Sequence, residues 1–300
     1  MFLDREATTA RIVDWIGRAA AAKARLVAFG EAFLPGYPFW LSLTDAARFD
    51  DPRQKQAYRA YFDAAVRLDG PELRAVADAA ARHGIFVVLG VVERGVGPGS
   101  GSLYCTALCV DPSAGMVGVH RKLVPTYEER LVWAPGDGHG LRAHTCEGVR
   151  VGVLNCWENW MPQARHALYA DGIAVHVALW PGSVRNTADI TRFVALEGRV
   201  FALAASAVLE RSDVPAGFPL ADQLPAHGSF RDGGTAIARP DGQWLVAPVA
   251  RERTLVVADL DLGLVARERQ NFDCTGHYSR PDVFHVDIDR RRRQAAHFHD

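Results

Sequence analysis

The stretch VGVLNCWENWMP, residues 151–162, carries the signals for a strand, a turn and a helix in direct succession. Its apolar first third, residues 151–154, is typical of a strand that is covered on both faces. Pro162 marks the first turn of a helix, because a proline is well tolerated there. Cys156 is therefore predicted on a turn at the end of a buried strand, where backbone N–H groups face a developing anion.

Strand-like and helix-like segments alternate through most of the chain. Continuous apolar runs predict buried strands at residues 26–29, 85–92, 103–110, 151–154, 173–179, 200–208, 235–238 and 254–258. Segments rich in Ala and Leu with helical spacing predict helices at residues 7–22, 54–67, 71–83, 162–170 and 187–198. This alternation indicates an α/β fold, a layered sandwich with mixed sheets. We expect one domain over residues 1–286 and a flexible C-terminal tail over residues 287–300, which begins with four arginines at 290–293.

Composition excludes several classes of function. The 300 residues are 49% hydrophobic, which is enough for one large core. The 34 Lys and Arg residues nearly balance the 35 Asp and Glu residues, so we expect no nucleic acid or membrane partner. The longest apolar stretches, 85–92 and 200–209, are far shorter than the ~20 residues that span a bilayer. Five irregularly spaced cysteines predict no disulfide framework, and we expect a cytoplasmic protein.

Glu31 lies two residues after the end of the predicted strand 26–29. A glutamate in a loop is most often solvated, which is the ordinary interpretation. The residues that follow are unusually rich in aromatic rings and prolines, and they include Phe33, Pro35, Tyr37 and Pro38. A carboxylate held against such apolar walls has a raised pKa, which suits a general base near neutral pH.

Lys122 and Cys156 each have a plain structural interpretation. A lysine after a strand-like segment such as residues 116–120 is most often exposed, and a free cysteine is most often a small buried side chain. Cys105, Cys109 and Cys146 fit that description, because no charged residue accompanies them in a recognisable motif. Cys156 differs from them through its position on the turn and through its neighbours.

These motifs together resemble the nitrilase branch of the carbon–nitrogen hydrolase superfamily. The resemblance rests on FGEAFLPGYP at 29–38, HRKL at 120–123 and LNCWEN at 154–159, and it extends from about residue 2 to residue 286. The sequence after the cysteine, with Met161 and Pro162, is the form typical of true nitrilases. Related amidases and carbamoylases usually carry a different sequence there.

The resemblance implies roles for four residues and an architecture. Glu31, Lys122 and Cys156 would form the catalytic triad, and Glu129 rather than its neighbour Glu128 would support the lysine. The implied fold is a four-layer α-β-β-α sandwich whose subunits associate into homodimers and often into larger spirals. Family members usually begin with a strand that precedes the segment matching residues 2–8, and this first strand is absent here. Either the start codon is assigned too late, or the sheet lacks a strand and exposes an edge or gap. Many members carry proline at position 30, and the glycine of this chain is expected to loosen the loop.

The function implied is hydrolysis of a small-molecule nitrile to a carboxylic acid and ammonia. The route runs through a cysteine thioimidate and a thioester, and it needs no metal and no organic cofactor. Trp157, Tyr37 and Trp180 are the candidate substrate-binding residues, since several aromatic side chains flank the predicted strand ends. An amidase or N-carbamoyl hydrolase with the same triad is the alternative enzyme, and a catalytically silent assembly protein of the same fold is the alternative from another class. The sequence does not specify which nitrile is used.

Overall fold

Two β-sheets form the centre of the protein in a computed structural model that describes residues 1–293 and 296. The first sheet has the order β1-β2-β3-β4, and the second has the order β11-β10-β8-β7-β6-β5 with β9 paired to β10. Strands of the first sheet are β1 (Leu26–Leu34), β2 (Phe86–Arg94), β3 (Leu103–Asp111) and β4 (Gly115–Arg121). Strands of the second sheet are β5 (His144–Cys146), β6 (Val149–Asn155), β7 (Val175–Leu179), β8 (Phe201–Ala205), β9 (Val208–Glu210), β10 (Ser229–Ala238) and β11 (Trp244–Ala250).

Six α-helices accompany the sheets within the described residues. They are α1 (Arg5–Ala21), α2 (Pro52–Ala64), α3 (Pro71–His83), α4 (Pro162–Ala170), α5 (Val184–Gly198) and α6 (Gly263–Arg269). Proline occupies the first turn of α2, α3 and α4, as its fixed φ angle and missing N–H group favour. Gly84 ends α3 with a φ of +63°, a conformation that costs glycine little.

Alternate residues of each strand face different layers. On the first sheet, Val87 and Leu89 pack against Ile12 of α1 and Val76 of α3. Their neighbours Phe86 and Val88 face the second sheet instead, where they join the apolar side chains listed here: Val151, Val153, Val175, Val177 and Leu179. The other face of the second sheet packs against α4 and α5. The layers therefore follow the order α-β-β-α, which confirms the predicted fold class.

Most predicted elements are present with shifted ends, but one predicted strand is wrong. Residues 254–258 form no strand, whereas β5, β11 and α6 were not predicted. The outer edge of β1 has no strand partner among the described residues, as the expected open edge requires. A cleft of about 780 Å³, lined by Leu26, Ala28, Leu203, Leu255 and Val257 among others, lies between that edge and residues 252–260. We call it the open cleft. Residues 254–258 have a suitable apolar sequence, but a strand also needs a neighbour to accept and donate its hydrogen bonds.

Part of the predicted tail contacts the body of the protein. Arg290 pairs with Asp171 at 3.2 Å, and Arg292 pairs with Asp137 at 3.1 Å. Ile288 packs against the apolar cluster beneath α4 and α5. The tail boundary at residue 287 stays a prediction, and residues 294, 295 and 297–300 lie outside the described part of the chain.

Candidate active site

The first side chain of the site comes from an irregularity in β1. The register of β1 against β2 shifts between Phe29 and Leu34, and Glu31 lies within this bulge. Its backbone N–H donates to the carbonyl oxygen of Trp180, in the second sheet layer, at 3.0 Å. A Cβ atom on Gly30 would lie 2.6 Å from the same carbonyl oxygen. The expectation that Gly30 loosens a loop is therefore wrong, because this glycine allows two backbones to pack closely.

The turn after β6 places Cys156 as predicted. Cys156 is the first residue of a 3₁₀ turn that ends at Trp160, and its φ angle is +46°. Few non-glycine residues adopt this left-handed conformation, which changes the direction of the chain sharply. The side-chain amide of Asn159 donates to the Cys156 carbonyl oxygen at 2.7 Å and holds the turn closed. Cys156 is buried as a result, with only 4% of the residue exposed.

Lys122 lies between two carboxylates. Its Nζ donates to Glu31 Oε1 at 2.8 Å and to Glu129 Oε2 at 2.6 Å, and all three side chains are buried. Glu129 also accepts from the backbone N–H of Thr126 at 2.7 Å and from the hydroxyl group of Tyr37 at 2.8 Å. Each oxygen of Glu129 thus has a donor, and these bonds fix the carboxylate in the position where it orients the ammonium group.

The four side chains converge. One carboxylate oxygen from each of Glu31 and Glu129 and the sulfur of Cys156 all lie within 4.8 Å of one another. Three such atoms offer a ligand set for a cation, but the Lys122 ammonium group already binds both carboxylates. The arrangement therefore suits covalent chemistry at sulfur with an internal cation. We call these four residues the candidate site.

The electrostatics of the site keep the thiol protonated at rest. Burial, followed by the charge of Glu31, raises the pKa of Cys156 well above its usual value, although Lys122 and the Trp157 N–H oppose this. Burial also raises the pKa of Glu31 to about 7, with Lys122 opposing and Glu129 reinforcing the shift. Burial lowers the pKa of Lys122, but Glu31 and Cys156 outweigh this and the net direction is upward. Lys122 is therefore a cation at neutral pH, while Glu31 is able to exchange a proton.

The two oxygens of Glu31 have different surroundings. Oε1 accepts from Lys122 and, at 3.4 Å, from the thiol of Cys105. Oε2 is buried and has no hydrogen-bond partner in the described structure, which leaves it available for a proton. Cys105 is a buried thiol, as predicted, but β3 also brings it against Glu31 from 74 residues away in sequence, a contact that no local motif indicates.

The three candidate substrate-binding residues occupy different positions. Tyr37 packs its ring against Trp133 and directs its hydroxyl group to Glu129. Trp157 is 46% exposed and lies beside Trp160, with ring centroids 6.2 Å apart. Trp180 is almost fully buried, and its contact with Glu31 is through its backbone carbonyl group. Substrate binding by these residues stays a prediction.

Comparison with known proteins shows which family the chain resembles. The family model for carbon–nitrogen hydrolases matches residues 1–270. A nitrilase from Bradyrhizobium diazoefficiens is 40% identical over 94% of this chain and 86% of its own. An aliphatic nitrilase from Sinorhizobium fredii is 37% identical over 98% of this chain and 94% of its own.

Solved structures agree in fold. A carbon–nitrogen hydrolase from Helicobacter pylori superposes with a TM-score of 0.70, and 93% of this chain and 92% of that chain are covered. At 17% sequence identity, this likeness concerns the fold alone. The family match and the two sequence relatives show to which family the chain belongs. This chain belongs to the carbon–nitrogen hydrolase family.

Proposed function

We propose that the protein is a nitrilase, which hydrolyses a nitrile to the carboxylic acid and ammonia. The observation that carries the proposal is that a thiol, a carboxylate whose pKa burial raises to about 7 and a buried ammonium group lie together in one site. The similarity to proteins named nitrilases over nearly the whole chain supports a nitrile rather than an amide or carbamoyl substrate.

In the first step, Cys156 attacks the nitrile carbon. Glu31 accepts the thiol proton through Oε2, the sulfur–carbon bond forms, and the same proton passes to the nitrile nitrogen to give a thioimidate. Transfer to Glu31 is needed because burial disfavours a free thiolate at rest. The positive charge of Lys122 stabilises the sulfur anion while it forms.

In the following steps, two water molecules are consumed. Glu31 takes a proton from the first water, which adds to the thioimidate carbon, and the nitrogen leaves as ammonia after protonation. The remaining thioester reacts with a second water, which releases the carboxylic acid and returns the proton to Cys156. Lys122 and the N–H of Trp157 stabilise the charge of the tetrahedral adducts. If the first adduct expels sulfur instead of nitrogen, the product is the amide.

A product analysis tests the proposal. Purified protein is incubated with aliphatic, aromatic and arylaliphatic nitriles, with free cyanide and with the matching amides, and ammonia, acid and amide are quantified. We expect acid and ammonia from at least one nitrile and a much slower reaction with its amide. Release of ammonia from amides or carbamoyl compounds alone would contradict the proposal.

The Cys156→Ala variant is the control for the covalent route. Removal of a catalytic nucleophile usually lowers kcat by about 10⁴-fold or more. We therefore expect ammonia release at less than about one ten-thousandth of the wild-type rate. Ammonia release at the wild-type rate would show that the sulfur of Cys156 takes no part.

We also propose that the chain forms a homodimer or a larger spiral and is located in the cytoplasm. Phe193 and Leu196 on α5 and Leu245 on β11 are exposed apolar side chains on neighbouring elements, which supports association. The five cysteines are free thiols, which supports a reducing compartment. No helix of the described residues is long and apolar enough to cross a membrane. Light scattering of the purified protein and fractionation of producing cells test the two proposals.

A further inference from the structure

Glu158 is a buried carboxylate with no place in the proposed reaction. It lies two residues after Cys156 in the 3₁₀ turn, and only 1% of its surface is exposed. Its Oε2 accepts from the backbone N–H of Asn155, the residue before Cys156, at 2.8 Å. Its Oε1 accepts from the backbone N–H of Leu123, the residue after Lys122, at 2.5 Å. One side chain thus binds the backbone beside two members of the candidate site.

His120 adds a third donor from the same side as Lys122. Its Nε2 lies 3.1 Å from Oε1 and 3.0 Å from Oε2 of Glu158. Burial by itself raises the pKa of Glu158, but His120 and the N–H groups of Leu123 and Asn155 outweigh it and the net direction is downward. Glu158 is therefore an anion inside the protein, where an ionised group persists only with such partners.

The position of these bonds matters because Lys122 and Cys156 come from different sheets. Lys122 follows β4 at the end of the first sheet, and Cys156 follows β6 in the second sheet. Apolar packing holds the two sheets together, but such packing tolerates small shifts and does not by itself fix the distance between these two segments. Glu158 joins them directly, through one hydrogen bond to each side and a further one to His120.

We propose that Glu158 is a positioning residue that fixes the ammonium group of Lys122 relative to the sulfur of Cys156. Its bonds set the separation of the two chain segments, and the attraction between Lys122 and the developing thiolate depends on that separation. The role in turnover rests on the proposed function. The effect on the reactivity of the thiol does not, because that reactivity is measured without any substrate.

A purely structural role and a positioning role predict different results. If Glu158 only stabilises the fold, its replacement lowers the melting temperature and leaves the thiol unchanged in molecules that remain folded. If its negative charge acts on the thiol directly, its removal lowers the pH at which the thiolate forms. If it positions Lys122, its removal weakens the cation's effect and raises that pH.

The experiment measures alkylation of Cys156 by iodoacetamide against pH, with mass spectrometry of the peptide that contains Cys156. The charged and titratable groups that face this sulfur are Glu31 from β1, Lys122 after β4, Glu129 from the 3₁₀ turn Tyr127–Leu131, and Tyr37. All four are unchanged in the variants Glu158→Gln and Glu158→Asp. The glutamine carries an N–H group where an acceptor is needed, and the aspartate is too short to reach both backbone N–H groups.

Glu93→Gln is the matched control. Glu93 is also buried and accepts from Arg121, which is next to Lys122, at 3.0 Å, and from Thr106 at 2.7 Å. In the described structure its side-chain hydrogen bonds join strands of the first sheet. None of them reaches the turn that carries Cys156. This variant therefore removes a buried charge next to Lys122 but leaves intact the hydrogen bonds from Glu158 to Leu123 and Asn155.

We expect the midpoint of the alkylation profile to rise by about one pH unit in Glu158→Gln and by less in Glu158→Asp, and to stay constant in Glu93→Gln. With a nitrile substrate, kcat should fall by about 100-fold in Glu158→Gln while KM changes little. An unchanged or lowered midpoint in folded Glu158→Asp would overturn the proposal even if Glu158→Gln fails to fold. Wild-type protein that alkylates normally but hydrolyses no nitrile would instead contradict the proposed function alone.

Discussion

The two halves of β1 show how differently one strand is held along its length. Residues 26–29 pair regularly with β2 on one side and face the open cleft on the other. From residue 30 onward the strand bulges, packs against the carbonyl group of Trp180 and delivers Glu31 to the candidate site. The first half is held by one neighbouring strand and by apolar packing between the sheets, whereas the second half also has a main-chain hydrogen bond to the second sheet layer.

The two halves of β1 therefore have different roles: the second half takes part in the candidate site, and the first half contributes to the packing of the fold. Charged and hydrogen-bonded groups are concentrated in the second half, where every displacement alters a distance between reacting atoms. The first half contributes apolar packing, which tolerates small shifts at modest energetic cost. Substitutions near Glu31 should therefore alter turnover strongly, and substitutions around the open cleft should alter it little.

The largest effect is expected from Glu31→Gln. Glutamine retains the contact with Lys122 but is unable to accept a proton at neutral pH, so kcat should fall by about 10³-fold. Steady-state ammonia release measures the change. Glu128→Gln, on the turn next to Glu129, is the control and should retain wild-type activity. Equal losses in the two variants would mean that general damage, not loss of the base, lowers the rate.

The pH dependence of kcat/KM in the wild type also tests whether Glu31 is the base. Glu31 acts as a base only when deprotonated, and its pKa is about 7. The value of kcat/KM should therefore fall about tenfold for each pH unit below 7, or about 100-fold at pH 5. A pH–rate profile with its acidic limb near the ordinary pKa of 4.5 would contradict the burial of this carboxylate.

The raised pKa of Glu31 also makes the stability of the folded protein depend on pH. The folded protein binds a proton on Glu31 more tightly than the unfolded chain does, because its pKa is raised from 4.5 to about 7. This group's contribution to stability is complete below pH 4.5 and is lost as the pH rises through about 7. Denaturant titrations of wild type and Glu31→Gln at several pH values measure it, and the glutamine variant should lack this component.

A smaller effect is expected where the bulge contacts the second sheet. In Gly30→Ala the added methyl group would meet the Trp180 carbonyl oxygen at 2.6 Å, so one of two backbones has to move. The free energy of unfolding should decrease by about 1–3 kcal/mol. Gly101→Ala is the control, because a Cβ atom there meets nothing within 4 Å. A Gly30→Ala variant as stable as the control would show that β1 is not tightly held at this point.

The smallest effect is expected at the open cleft. Val257 lines it and is 48% exposed, so Val257→Lys should change the free energy of unfolding by at most about 0.5 kcal/mol. Nitrile hydrolysis should remain at the wild-type rate, in contrast to Glu31→Gln. A loss of more than tenfold in kcat would mean that the first half of β1 also controls the geometry of the candidate site.

The sequence predicted those elements whose signals are local. The proline and glycine boundaries of α3 are an example, as is the strand, turn and helix around Cys156. Residues 254–258 were predicted as a strand because their composition is suitable, but pairing depends on a neighbour that no local pattern reveals. The strand β11 was missed because Pro248 interrupts its apolar run, and a proline inside such a run argues against a strand.

The residues of the candidate site and its surroundings also differ in whether a local sequence signal reveals them. Glu31, Lys122 and Cys156 were identified from short motifs, and the structure brings all three together. Cys105 and Glu158 were missed because their roles arise from contacts across 74 and 35 residues of sequence. A carboxylate two residues from the cysteine was visible in the sequence, but nothing there indicated that it binds the backbone beside Lys122.

The hydrogen bond from the N–H group of Glu31 to the Trp180 carbonyl oxygen has a practical consequence. Because this bond belongs to the main chain, replacing the side chain at position 31 leaves it intact. Inactive variants made there should keep the backbone of the candidate site in its working shape. They are therefore suitable for capturing an unreacted nitrile in a crystal, which would reveal the size and orientation of the compound that this enzyme prefers.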